Sequence, residues 1–195
     1  MTRPAIFLLL LSASAIASPL RAQTVTREQA MRAAIHPVTS EAAMRDWLAR
    51  VPVTRDWPPD FGPTLTGSAP ALLVEMSTAS GCLPCADLWS KLNALGRRYG
   101  WQVRVISSQD AMTRSGRLGL PWVGHPVAWV RPKSDSNRTI PVAIGTDHAP
   151  NLARNLYLAA KMLGGVRVDV GVRGLSKFTG IVGLTASPAT KPKGR

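Results

Sequence analysis

Cys82 and Cys85, in Gly81-Cys82-Leu83-Pro84-Cys85, are the only two cysteines in a chain of 195 residues. Two thiols at this spacing can do three kinds of chemistry. They can cycle between dithiol and disulfide, ligate a soft metal, or form a fixed bridge. A bridge across so short a loop constrains little of the unfolded chain, which leaves a purely structural role poorly motivated. Structural zinc needs four ligands, and the sequence offers three candidates, Cys82, Cys85 and His125. Redox exchange needs only the pair, and no organic cofactor.

The flanking residues must hold that pair. Ala71-Leu-Leu-Val-Glu-Met76 predicts a short buried strand. Ala86 to Tyr99 predicts a helix, with Leu88, Leu92 and Leu95 at helical spacing and Gly100 as its stop. The cysteines therefore fall at a strand-to-helix turn. A thiolate there meets unpaired backbone N–H groups and the positive end of the helix dipole, which favours ionisation of Cys82. Cys82 is then the nucleophile. Cys85, one turn further in, resolves the mixed disulfide. Pro84 is tolerated in the first turn, where its missing N–H costs little.

Beyond the helix, Gln102 to Ile106 alternates as a strand does, and Ser107 to Leu118 reads as a connecting turn or short helix. Val127–Val130 and Ile140–Ile144 predict a hairpin joined by the polar loop Lys133–Arg138. Pro150 to Leu163 predicts a final amphipathic helix ending at Gly164-Gly165. The order is β–α–β–α–β–β–α, and its β–α–β part requires a parallel pairing through a crossover. Upstream, Thr26–Ile35 and Ser40–Arg50 predict amphipathic helices, the second with Met44, Trp47 and Leu48 on one face. The Pro-, Gly- and Trp-rich stretch from Val51 to Pro70 reads as a loop or linker.

The N-terminus sets the compartment. Arg3, an apolar core from Ala5 and Ala15-Ile16-Ala17 form a secretory leader pattern, assigned to residues 1–23. Its apolar core falls short of the roughly 20 residues that span a bilayer, and no later stretch is long and apolar enough. The expectation is an exported, periplasmic protein without a transmembrane helix in its mature chain. The formal net charge is +13, which fits a merely solvated basic surface and also suits nucleic acid, an anionic membrane surface or an acidic protein partner without choosing among them. Aromatic and Gly-rich motifs of the RNA-binding kind are absent from the sequence.

Over Ala71 to Leu163 the chain resembles the thioredoxin-like superfamily. Cys82-Leu-Pro-Cys85 is similar to that family's active-site C-x-P-C. Gly124-His125-Pro126-Val127 resembles the loop bearing its cis-proline, about forty residues past the cysteines, and the hairpin and last helix follow in the family's order. Gly81 departs from the Trp often found before the first cysteine, one extra residue separates strand from Cys82, and His125 stands where Thr or Val is common. The resemblance implies an α/β thioredoxin-like fold, a central mixed sheet flanked by helices, over 71–165. An N-terminal helical extension and linker (24–70) precede it, and a C-terminal strand with a basic tail (166–195) follows.

The resemblance further implies catalytic roles for Cys82, Cys85 and Pro126. A cis Pro126 would set the backbone of His125 beside the sulfurs, ready to pair with an extended substrate. His125 itself is a loop residue, a group tuning the thiolate, or a ligand. Glu75 lies near the buried acid that relatives keep beneath the cysteines. It would accept the Cys85 proton if its pKa is raised, but the extra residue can turn it to the surface instead. Asp87 reads as a dipole partner of the helix, Trp89 and Trp129 as core or platform aromatics, and Trp122 as a flank of the groove. The alternating run Val166–Arg173 suggests an added strand, and the tail ending Lys191-Pro-Lys-Gly-Arg195 suggests disorder.

The expected activity is thiol–disulfide exchange with envelope, secretion or conjugation proteins through Cys82 and Cys85. The alternative is a non-catalytic scaffold that docks in an envelope complex.

Overall fold

The computed structural model describes residues 35–165 and 178–183. The leader at 1–23, all but the last residue of the helix expected over 26–35, the run at 166–173 and the basic tail lie outside the described residues. No helix among the described residues is long and apolar enough to cross a membrane.

The chain order is β1 (His36–Pro37), α1 (Glu41–Leu48), α2 (Phe61–Ser68), β2 (Leu72–Ser77), α3 (Leu83–Tyr99), β3 (Gln102–Ile106), α4 (Ser108–Arg117), β4 (Val127–Pro132), β5 (Ile140–Ile144), α5 (Ala149–Leu163) and β6 (Ile181–Val182). A mixed four-stranded sheet runs β3-β2-β4-β5. β2 and β3 are parallel, as the crossover through α3 requires, while β4 pairs antiparallel with both β2 and β5. The architecture is therefore α/β, a mixed sheet flanked by helices.

Alternation along β2 divides the molecule. Leu72, Val74 and Met76 join the large core with Leu88 and Leu92 of α3, Leu152 and Leu156 of α5, and Phe61 and Leu65 of α2. The opposite face packs Val127 and Trp129 of β4 against Ala111 of α4. A third, small cluster unites Val38, Leu48 and Ile181 beside Met44 and Trp47. Ser40 caps α1 by accepting the N–H of Ala43 at 3.2 Å, a contact worth about 1 kcal/mol.

The stretch from Val51 to Pro70 is not a linker. Residues Phe61–Ser68 form a helix that contributes Phe61 and Leu65 to the main core. Pro63 falls in the first turn, where its missing donor is not needed. Asp60, at the N-cap position, accepts from Tyr157 Oη at 2.8 Å and Lys161 Nζ at 2.7 Å, tying α2 to α5. These partners, Lys161 first, hold its carboxyl down at about 2. Asn151 of α5 fastens the extended part of the stretch by accepting the Thr54 N–H at 2.8 Å and donating to the Pro52 carbonyl at 2.9 Å.

β6 forms a strap outside the main sheet. It pairs parallel with β1, through His36 N–H to Gly180 O at 2.8 Å and Val38 N–H to Val182 O at 3.0 Å. On its other side Gly180 N–H donates to Ile144 O at 2.9 Å, and Thr146 N–H to Ile181 O at 3.1 Å.

Candidate functional site

β2 ends at Ser77, and the chain turns through Gly81, whose φ of 68° is the left-handed conformation that favours glycine. Cys82 follows as the N-cap of α3, with φ −81° and ψ 101°. Its Sγ accepts the Cys85 N–H at 3.2 Å, so the sulfur fills the role a Ser or Asp oxygen plays at other caps. Cys82 and Cys85 form a disulfide, with their Cα atoms 5.2 Å apart. Cys82 is half-buried and Cys85 is 2% exposed. That difference makes Cys82 the sulfur open to attack.

The His125–Pro126 peptide bond is cis. The loop it shapes brings the His125 carbonyl oxygen to 3.8 Å from Cys82 Sγ. An oxidised Cys82 has no proton to donate, so this is a van der Waals approach of backbone to sulfur. Ser77 fixes the loop from below: buried at the end of β2, its Oγ accepts the Val127 N–H at 3.0 Å. Ser77 thus positions the residue after Pro126, a role that a serine at a strand end does not announce in sequence.

A groove of about 450 Å³ runs along the disulfide, lined by Thr78, Gly81, Leu83, Ala86, Trp89 and Val105. Trp89 is 39% exposed and belongs to this groove rather than the core. Trp129 is fully buried, and Trp122 stands edge-on to the His125 ring at 4.9 Å between centroids. Asp87 accepts from Lys91 Nζ at 2.6 Å and from Thr146 Oγ1, tying the start of α3 to the β5–α5 turn. Among the described residues, no group of three or more His, Cys, Asp or Glu is placed to hold a metal ion.

His125 contributes its carbonyl to the sulfur, while its ring serves elsewhere. Nε2 lies 3.3 Å from Ser108 Oγ, and Nδ1 is buried without a hydrogen-bond partner. Burial pushes its pKa below the ordinary 6.5. The native state therefore binds this proton less readily than the unfolded chain. Its stability contribution is full above pH 6.5 and is lost as pH falls through the lower folded value. In urea titrations the wild type should weaken on acidification just below pH 6.5, and His125→Gln should flatten that slope. An unchanged slope would remove the assignment.

Glu75 answers to neither expectation. It is fully buried, so it is not a surface residue. It also lies on the face of β2 opposite Met76 and Val74, which share the main core with Cys85. Opposite it in register are Arg104 of β3 and Trp129 of β4. The carboxylate pairs with the guanidiniums of Arg104, Arg114 and Arg131. Burial pushes its pKa up, but these three cations outweigh it and hold the carboxyl below the ordinary value. An acceptor for the Cys85 proton needs a raised pKa and a position beneath the cysteines. Glu75 has neither: the two-residue period of β2 sets it on the face opposite Val74 and Met76, and the three guanidiniums hold its carboxyl down.

Comparison with protein-family models, curated proteins and solved structures returns no match.

Proposed function

We propose that this protein is an exported thiol–disulfide exchange protein of thioredoxin-like architecture, acting in the periplasm through the Cys82–Cys85 couple. The observation that carries the reading is the disulfide at the N-terminus of α3 with the carbonyl before a cis-proline against its outer sulfur. In the oxidising direction a substrate thiolate attacks Cys82 Sγ. A substrate–Cys82 bond forms, the Cys82–Cys85 bond breaks, and Cys85 leaves as a thiolate that takes up a proton. A second substrate thiolate then attacks the substrate sulfur, releasing Cys82 as a thiolate capped by the Cys85 N–H. Reversal of the same steps reduces a substrate disulfide. The leader pattern supports export, and the basic residues toward both ends of the chain suggest a dedicated partner, such as an envelope, secretion or conjugation assembly.

Cys85→Ser leaves Cys82 without its resolving partner and should accumulate mixed disulfides with envelope proteins, seen as reducible adducts on non-reducing gels. Cys82→Ser should give none. Absence of adducts with Cys82 intact would sink the exchange mechanism. One observation favours the second reading, a docking scaffold with a structural bridge: the chain's own Gly183 N–H already occupies the His125 carbonyl, at 2.8 Å. Insulin reduction driven by dithiothreitol separates the two, since a scaffold gives no rate above background.

A further inference from the structure

Gly183, the residue after β6, lies against the reactive sulfur. A Cβ built on it would fall 2.8 Å from Cys82 Sγ and 3.3 Å from Cys82 Cβ. In a disulfide the two Cβ atoms are about 3.5–4.5 Å apart. The vacant Cβ position of Gly183 is therefore slightly closer to Cys82 Cβ than the Cβ of a disulfide partner would be, near the short end of that range. The backbone is held in that place by the Gly183 N–H bond to the His125 carbonyl. Its φ is outside the left-handed region, so the backbone conformation does not demand glycine. What demands it is the sulfur.

We propose that Gly183 occupies the subsite of a substrate's cysteine, so that the strap is an unreactive stand-in for the peptide on which Cys82 acts. This rests on the exchange function above and specifies its substrate class. The substrate is an extended polypeptide segment whose cysteine N–H donates to the His125 carbonyl and whose Sγ meets Cys82. Such a segment enters by lifting the tip at Gly183. The rest of the strap keeps its anchors, the Ile181 side chain in the small cluster and the backbone bonds of residues 180–182 to β1, Ile144 and Thr146. A small thiol needs no such displacement, because the groove beside Trp89 leaves the disulfide open from another side.

Two substitutions test the tip. Gly183→Pro deletes the N–H that holds it, and Gly183→Ala sets a methyl group against Cys82 Sγ. The oxidised full chain would be reacted with dithiothreitol and, separately, with an unstructured ten-residue peptide bearing one cysteine. Adducts and freed Cys85 thiol would be counted by mass after acid quench. The ratio of peptide rate to dithiothreitol rate should rise about tenfold or more in Gly183→Pro, and in the same direction in Gly183→Ala. A ratio unchanged or lowered in both, with the peptide still reacting at Cys82, overturns the stand-in and leaves exchange intact. Peptide adducts absent from the wild type and both variants, while dithiothreitol reduces the pair, overturn the exchange function and the stand-in together.

A third variant reads the register independently of rates. Gly183→Cys in a Cys85→Ser background should form an intramolecular bond to Cys82 in more than half of the molecules under mild oxidation, located by peptide mapping. Free thiols or intermolecular dimers alone would place Gly183 outside the subsite.

Discussion

Glu75→Ala should destabilise the native state by about 3–5 kcal/mol, the cost of leaving buried charges without their partner. Glu75 is fully buried, and the side chains of Arg131 and Arg114 are only 8% and 14% exposed. Arg131 Nε lies 3.1 Å from Oε2 as an ion-pair contact without hydrogen-bond geometry, its NH1 donating instead to the Pro132 and Lys133 carbonyls. Deleting the carboxylate therefore strands two buried cations on one face of the sheet. Arg104→Ala is the contrast. Its side chain is 57% exposed, water recovers much of what the pair loses, and the cost should stay below about 1 kcal/mol. Urea unfolding at pH 7 measures both. A Glu75→Ala loss no larger than that of Arg104→Ala would mean that the cations are hydrated and the cluster is not a buried one. The sign with pH follows from the lowered carboxyl: its contribution is full above the ordinary value of 4.5 and is lost as pH falls through the folded one.

Gly145→Ala carries the second large effect, about 2–5 kcal/mol. Gly145 has φ +83°, where a side chain costs about 1–2 kcal/mol. Its Cβ would also fall 2.4 Å from Ile181 N and 2.6 Å from Ile181 O, backbone atoms that no rotamer change can move; forcing such an overlap typically costs a further ~1–3 kcal/mol. The turn cannot retreat easily, because the Gly145 N–H donates to the Pro126 carbonyl at 2.8 Å. The strap must yield instead. Amide hydrogen exchange should show its largest loss of protection at residues 180–183, with β2 and β4 losing no more than the global change seen in urea. Full protection along the strap, with stability near wild type, would refute the close approach.

Residues 71–163 were legible because their patterns are local. Leu88, Leu92 and Leu95 have helical spacing, Gln102–Ile106 alternates, and Gly100 ends α3 in the left-handed conformation its position suggests. The sulfur pair at a helix N-terminus was legible for the same reason. Helix α2 was not, since Gly62 and Pro63 read as breakers unless one knows that they fall in a first turn. The facing of Glu75 was not legible either. Its position in the alternation of β2 fixes its face, but every residue of that strand is buried, so no apolar–polar pattern marks which layer the carboxylate enters. The strap was invisible for a further reason. β6 has two residues and forms only because β1 and the β5–α5 turn, distant in sequence, supply its partners. No periodicity within Thr179–Gly183 could signal that.

The capping of α3 by Cys82 has a thermodynamic consequence. In the disulfide the Cys85 N–H points at a neutral sulfur; after reduction it would point at a thiolate, and a charge-assisted bond is roughly twice as strong. A Cys82 thiolate formed on reduction would therefore strengthen the first turn of α3. By closure of the cycle linking oxidised and reduced, folded and unfolded chains, every increment of stability gained on reduction reappears as a more oxidising potential, about 30 mV for 1.4 kcal/mol. A denaturation experiment on the two redox forms is thus also a potentiometric one. Changing how α3 begins should move the midpoint of reduction by the amount it changes the stability difference between the two redox forms.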